Sequence, residues 1–334
     1  MLLGYTFAGE PFSTADLGVT GAITALLKDA VLPNLVQTLE GCPAILHGGP
    51  FANIAHGCNS IMATKTAMQF GDYVITEAGF ASDLGAEKFF NIKCRKAGLS
   101  PAMSVLVATS QALKLSGGTD EKKMMLPDLP ALTRGLRNLE KHIGILQSFR
   151  QQVLVVLNRY HFDTAEEIGF MRNWCAEKGA AFAVNDAYAR GGEGALEMAK
   201  AVVDICKKPS PSLEFTYDLE DDVETKIRKI VTTIYGGKGV VLYKKAQETL
   251  RRIKKLGLEK LPICMAKTQY AFTDDATVSG LDGDFVIHVD DLVISRGAGF
   301  IVAVCGEMMR MSGLPKQPQA NFIDVVDGNI VGLG

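Results

Sequence analysis

Two runs decide the fold class of this chain: VLVVLN at residues 153–158 and AAFAV at 180–184, with a helix-patterned stretch between them. The first is five apolar residues with polar punctuation at both ends, the signature of a strand buried on both faces. Asp163–Thr164 then reads as a helix cap, with Glu166 and Glu167 in the first turn and Gly179 as the stop. After AAFAV comes another helical pattern, GALEMAKAVVDICKK at 194–208. Strand, helix, strand and helix at this spacing mean βαβ units and a parallel sheet.

The same alternation extends toward the N-terminus. The spacing predicts a helix over 20–32, closed by Pro33, and another over 59–70. PAIL at 43–46, YVIT at 73–76 and MSVLVAT at 103–109 read as strands, and residues 131–148 place Leu132, Leu136, Leu139, Ile143 and Leu146 on one helical face. The pattern changes at KKPSPSLEF, 207–215, whose prolines and serines suggest a boundary. Beyond it, helices are expected at about 221–234 and 243–256, then strands at 262–266, 285–289, 291–295 and 300–305. The expectation is an α/β chain: a mostly parallel sheet with flanking helices over residues 1–208, and a smaller mixed α/β domain over 209–334.

Composition removes several function classes. The 334 residues are 47% hydrophobic and 22% charged, with a net charge of −2 and a mean hydropathy of +0.13. No apolar run approaches the ~18–20 residues of a membrane span, and MLLGYTFAGE lacks the basic start of a secretory signal. A cytoplasmic protein without membrane contact is expected. Near-neutral charge argues against a nucleic-acid surface, and the basic run from Lys244 to Lys255 reads as a solvated helix face. Seven cysteines without a C-x-x-C pair suggest reduced, buried thiols, and the histidine spacings suggest no metal site.

Parallel sheets bind ligands at the carboxyl ends of their strands, so the loops at strand exits carry the functional candidates. After PAIL comes HGGPFANIAHGCNS, where Gly48 and Gly49 allow close backbone approach and a nearby helix N-terminus offers N–H groups to an anion. The same residues also suit a plain strand-to-helix turn with two satisfied histidines. After YVIT comes EAGFASDLGAEKFF, with Glu77, Asp83 and Glu87 as potential acids or simple caps, and Phe80 as a loop aromatic or a core side chain. RYHFDT and NDAYARGGEG follow the two deciding strands and carry Tyr160 and Tyr188 to neighbouring rims, as clamps for a flat ring or as surface packing. The sequence holds no Walker loop: around Gly237–Lys238, Thr232 and Gly239 occupy the positions where glycine and Ser/Thr would be required.

Four long strings, NLVQTLEGCPAILHGGPFANIAHGCNSIMATKTA, VITEAGFASDLGAEKFFNIKCRKAGL, LPICMAKTQYAFTDD and GAGFIVAVCGEMMRMSGLPKQP, closely resemble the formate–tetrahydrofolate ligase family, in register from about Gly4 to the terminal DGNIVGLG. That resemblance implies a P-loop NTPase-like core, incomplete in this chain, and synthesis of 10-formyltetrahydrofolate from formate, tetrahydrofolate and ATP with Mg2+ through formyl phosphate. It implies that the pterin lies between Tyr160 and Tyr188, where the family usually has Phe and Trp; His161 replaces its usual Pro. Phe80 and Gly85 match the loop bordering folate, and Val184 matches an apolar lining residue. His47, Gly48, Gly49, Asn53 and His56 would lie toward the transferred phosphate. The family's ATP-binding P-loop belongs to a portion this chain does not contain, so the chain is expected to be a fragment without ligase activity alone. Two expectations follow: the folate side of a ligase, active when joined to or assembled with the remainder, or a non-catalytic truncated product that at most binds folate or oligomerises. A homotetramer and activation by a monovalent cation, potassium or ammonium, are further implications of the resemblance.

Overall fold

The structure, a computed structural model, describes residues 1–308, 316–326 and 328–332. Residues 309–315, 327 and 333–334, which include parts of the last family string and of the terminal octapeptide, lie outside the described residues. The amino-terminal quarter carries β1 (Leu2–Tyr5), β2 (Pro11–Ser13), α1 (Thr20–Leu26), β3 (Asn34–Gln37), β4 (Pro43–Leu46) and α2 (Ile61–Phe70), and a helical run from 82 to 97 ending in α3 (Arg95–Ala97) leads to the first parallel sheet. The sheet itself is β5 (Ser104–Ala108), β6 (Val153–Asn158) and β7 (Ala181–Asn185), in the order β5-β6-β7 with every pairing parallel. The mixed α/β class is therefore as the sequence reads it.

Strand β6 is central because its sequence leaves no polar face. Val153 to Leu157 are all buried, and each such side chain contributes about 1.5–3 kcal/mol on leaving water. The crossovers are α4 (Ser110–Ser116) with α5 (Leu129–Ser148), then α6 (Ala165–Glu177). Helix α5 starts where Asp128 accepts from the Ala131 N–H at 2.9 Å, and it buries Leu132, Leu136, Leu139, Ile143 and Leu146 as the periodicity predicts. Thr164 caps α6 in a reciprocal capping box with Glu167. The other Glu167 oxygen accepts from buried Lys114 at 3.3 Å and from the Asp128 N–H at 3.1 Å, so one carboxylate joins α4, α5 and α6.

The later half adds α7 (Ala187–Arg190), α8 (Leu196–Cys206), α9 (Val223–Ile230), which continues as a π-turn to Tyr235, β8 (Gly239–Leu242), α10 (Lys244–Lys255), β9 (Ile263–Ala266), β10 (Val286–Val289), β11 (Asp291–Ser295) and β12 (Phe300–Val304). Strand β12 pairs parallel with β9 and antiparallel with β11, and β8 pairs parallel with β10. A short hairpin, β13 (Asp324–Val326) with β14 (Asn329–Val331), follows. One core cluster draws on Val155 and Leu157 together with Ile227, Ile263 and Ile301, from both sides of the 207–215 stretch.

The amino-terminal quarter departs from the sequence reading. PAIL is a strand, but β4 pairs antiparallel with β3 in an isolated hairpin. YVIT at 73–76 forms no strand: a β ladder needs a neighbour, and among the described residues none pairs with it. The helix expected over 20–32 stops at Leu26, and α1 buries no residue, so nothing rewards its extension. Across residues 1–76 the only buried hydrophobic residues are Cys58 and Ala63.

Helices α4 and α5 cross in backbone contact at Gly117 and Gly135, where any Cβ would meet the Ala131 or Leu113 carbonyl oxygen. Gly135→Ala is expected to destabilise the fold by about 1–3 kcal/mol or more. Urea unfolding of the variant beside the parent chain reads this directly.

Candidate functional site

Tyr160 and Tyr188 leave the sheet at adjacent rims because β6 and β7 run parallel, in register from Leu154↔Ala181 to Asn158↔Asn185. The Asn158 side-chain oxygen accepts from Asn185 Nδ2 at 2.9 Å, closing the rim between the two loops. The first loop is held by Asp163, whose carboxylate accepts from the Ser110 hydroxyl and, at 2.8 Å, from the Tyr160 N–H. Tyr160 lies 43% exposed and stacks on Phe162 at 5.3 Å and 8°. His161 meets the same ring edge-on at 5.1 Å. Tyr188, on the four-residue α7, presents a fully exposed ring. Val184 is half-buried on β7, opposite Leu157. The loop behind Tyr188 folds back tightly, since the Asp186 N–H donates to the Gly194 carbonyl at 3.0 Å. It is tethered from outside by Glu40, in the β3–β4 turn, which accepts from the Gly192 N–H at 2.8 Å.

A second group gathers around Phe80. Its φ is +65°, rare for a residue with a side chain, and its ring meets Phe51 edge-on at 5.9 Å. Gly85 is buried where a Cβ would strike the Gly79 carbonyl, and a Cβ on Gly79 or Gly57 would strike Ala52. The loop carrying Phe80 and the HGGPFANIAHG loop are thus keyed together, sealed by the Gly79 N–H donating to the Gly57 carbonyl at 2.8 Å.

The third group lines a cleft of about 1250 Å³. His47, Gly48, Gly49 and His56 form one wall, and Lys65, Lys93 and Lys96 line the others. His47 is anchored, its Nδ1 facing Ser60 Oγ at 2.8 Å and its Nε2 facing the Ala30 carbonyl at 2.9 Å. Burial first, then the Lys93, Lys96 and Lys88 charges, holds the His56 pKa below its ordinary value, so the ring is neutral at pH 7. Neutral His56 beside exposed Lys65 and Lys96 leaves a cationic cleft suited to an anion, while Lys93 lies buried with its pKa drawn down by that burial and donates to Thr64 Oγ1 at 2.9 Å. Asn53 is not in this wall. It is fully buried, and its side-chain oxygen accepts from the Lys267 N–H at 3.1 Å.

Sequence reading missed the polar centre beneath these loops. Lys267, directly after β9, is fully buried and pairs with Asp83 at 2.9 Å, while its Nζ also donates to the Thr268 carbonyl at 3.0 Å and to the Ala271 carbonyl. The ammonium lies 4.9 Å from the centre of the Tyr235 ring. Lys88 donates to the Ala52 and Asn53 carbonyls, and Ser82 Oγ lies 2.7 Å from His142 Nδ1. Glu87 accepts from Asn91 at 2.8 Å, yet burial dominates and pushes its pKa up to about 7. The available signal was a lysine ending the apolar run PICMA. All seven cysteines are free and five are buried, as expected. Among the described residues no group of three or more His, Cys, Asp or Glu side chains could hold a metal ion.

Parallel strands with long loops at their carboxyl ends define the general class, an α/β protein. The profile of formate–tetrahydrofolate ligase matches residues 1–334. Over 334 residues the chain is 56% identical to the formate–tetrahydrofolate ligase of Parabacteroides distasonis and 54% identical to that of Bacteroides fragilis. It is 52% identical over 336 residues to that of Campylobacter curvus. This chain belongs to the formate–tetrahydrofolate ligase family. Each alignment covers all of this chain; the chain spans 60% of the first two relatives' length and 61% of the third. No described helix is long and apolar enough to cross a membrane.

Two expected outcomes test the buried centre. Lys267→Met leaves Asp83 without its partner and is expected to cost about 3–5 kcal/mol in urea unfolding. Glu87 has a folded-state pKa above its ordinary 4.5, so its contribution is fully present below pH 4.5 and is lost as pH rises toward 7. Stability measured from pH 4 to 8 should therefore fall through that window, by an amount of order 3 kcal/mol at 1.36 kcal/mol per unit. Glu87→Gln is expected to flatten this component.

Proposed function

We propose that this chain supplies the folate-binding side of a formate–tetrahydrofolate ligase, which joins formate to tetrahydrofolate at the expense of ATP, through formyl phosphate, to give 10-formyltetrahydrofolate, ADP and phosphate. The observation that carries the reading is the pair of accessible aromatic rings, Tyr160 and Tyr188, leaving the carboxyl ends of two adjacent parallel strands. In this reading the pterin enters between the two rings, each stacking pair adding ~0.5–1.5 kcal/mol beyond area burial. Val184 supplies an apolar wall, and Phe80 and Gly85 shape the neighbouring border. The hydroxyls of Tyr160 and Tyr188, absent from the Phe and Trp usual in the family, point to water or polar ligand atoms as partners.

The cationic cleft beside His47, Gly48, Gly49 and His56 is proposed as the phosphate-facing side, with exposed Lys65 and Lys96 supplying positive charge. Asn53 holds that loop against Lys267 and needs no ligand contact for this role. ATP with Mg2+ is assigned largely to the two fifths of the family's length that this chain does not span, since no Walker loop occurs in its sequence. Formyl transfer to the folate amine then requires both parts, in an assembly proposed to be the homotetramer implied by family resemblance, activated by a monovalent cation in the cytoplasm. The absent Walker loop equally favours a second reading, a non-catalytic chain that at most binds folate or self-associates.

The purified 334-residue chain is expected to give no ATP- and formate-dependent 10-formyltetrahydrofolate, and product formation would overturn that division of labour. Tetrahydrofolate titration by calorimetry is expected to show binding that Tyr160→Ala and Tyr188→Ala each weaken about tenfold. No binding to the parent chain would remove the folate-side reading and leave the second.

A further inference from the structure

Two charged side chains at the aromatic rim are held in place by their backbones yet left with spare hydrogen-bonding capacity. Arg159 immediately precedes Tyr160, and Asp186 stands two residues before Tyr188. The Arg159 N–H donates to the Asn185 carbonyl at 2.9 Å, and the Asp186 N–H donates to the Gly194 carbonyl at 3.0 Å. The Asp186 carbonyl accepts from the Ala189 and Arg190 N–H groups at 3.2 and 3.0 Å, and a Cβ on Gly194 would strike it. The side chains are engaged far more loosely. Arg159 Nη1 lies 3.7 Å from Asp186 Oδ2, beyond hydrogen-bond reach, and neither side chain makes a hydrogen bond among the described residues. Asp186 does not cap α7, because Asn185 Oδ1 takes the Ala187 N–H at 3.2 Å. The other carboxylate at this rim is already committed. Asp163 is buried, one of its oxygens accepting from the Ser110 hydroxyl and the other from the Tyr160 N–H at 2.8 Å.

We infer that Asp186, with Arg159 beside it, is the specificity element that reads the hydrogen-bonding edge of a 2-amino-4-oxopyrimidine ring, the edge a pterin carries. The inference rests on the proposed folate-side function and deepens it, from stacking that accepts many flat rings to recognition of one ring edge. That edge presents an acceptor and two donors in a row: O4, N3–H and the exocyclic 2-amino group. A carboxylate accepts the two adjacent donors side by side, and a guanidinium donates to the oxygen next to them. The pair joins the two loops that bear Tyr160 and Tyr188, so a carboxylate and a guanidinium stand together at the rim where those rings leave the sheet. An exposed ion pair at this separation contributes little by itself, which leaves both groups available to a ligand. The rings cannot supply this discrimination, since a π face is common to many bicycles. A carboxylate placed for two N–H donors does supply it, because an analogue lacking one of them leaves an oxygen unpaired.

The test is anaerobic calorimetric titration of the 334-residue chain with tetrahydrofolate and with its 2-desamino analogue, which keeps the flat ring but lacks the exocyclic donor. The parent chain is expected to prefer tetrahydrofolate about 30-fold. Asp186→Asn is expected to lose most of that preference, binding tetrahydrofolate about 30-fold more weakly while holding the analogue within about threefold of the parent. Tyr188→Ala is expected to weaken both ligands alike, because stacking is indifferent to the amino group. Thermal melts of each variant beside the parent confirm that the fold is retained. A parent chain that binds the two ligands equally overturns the inference, as does Asp186→Asn with the discrimination intact. Equal loss of both ligands on Asp186→Asn also overturns it, since that is the result of a merely structural role. In these three cases tetrahydrofolate binding by the parent leaves the folate-side reading standing. Binding of neither ligand by the parent overturns that reading and this inference together.

Discussion

The buried ion pair between Asp83 and Lys267 is the contact on which the loop architecture turns. Either charge alone in this interior would cost several kcal/mol, so each fixes the other's position. Asp83 belongs to the helical run after the Phe80 loop, and Lys267 follows β9 in the second sheet. The Lys267 N–H holds Asn53, and Lys88 holds the Asn53 carbonyl, so the HGGPFANIAHG loop is fixed from beneath by the same centre. Three loops far apart in sequence are registered by one set of charges. The glycines at 57, 79 and 85 then let their backbones close on one another.

Above this centre the molecule divides by how well its apolar residues are covered. Strand β6 and helix α5 bury nearly everything their patterns offer. Helix α1 and strand β3 bury nothing, and β4 only half-buries Ala44 and Ile45. Both groups have similar apolar content, so the difference lies in available partners. Hydrophobic burial is a property of pairs of surfaces, and few apolar side chains of residues 1–76 meet a second one.

That distinction explains what the sequence could disclose. VLVVLN, the α5 periodicity and the Thr164–Glu167 capping box were legible because each encodes its environment locally, in period or in spacing. YVIT was read as a strand on the same local grounds and is none here, because a strand is defined by its neighbour. Tyr160 and Tyr188 were placed at neighbouring rims because βαβ geometry fixes where each loop leaves the sheet. Asp83 and Glu87 resembled ordinary caps, since neither the pairing of Asp83 with Lys267 nor the burial that raises Glu87 leaves a trace in adjacent residues. Asn53, grouped with ligand-facing neighbours by sequence, points the other way because Lys267 draws it inward.

The hydrogen bond from the Gly192 N–H to Glu40 gives the hairpin a thermodynamic connection to the aromatic rim. Glu40 belongs to the β3–β4 turn, and Gly192 to the loop that carries Tyr188. Whatever orders one of these segments reduces the entropy that a second ligand must spend on the other, and this linkage is reciprocal. A single exposed hydrogen bond contributes about 0.5–1.5 kcal/mol, which caps the cooperativity it can transmit at roughly tenfold. Order in the β3–β4 turn and order at the aromatic rim are therefore graded partners, each tuning the other without acting as an on–off switch.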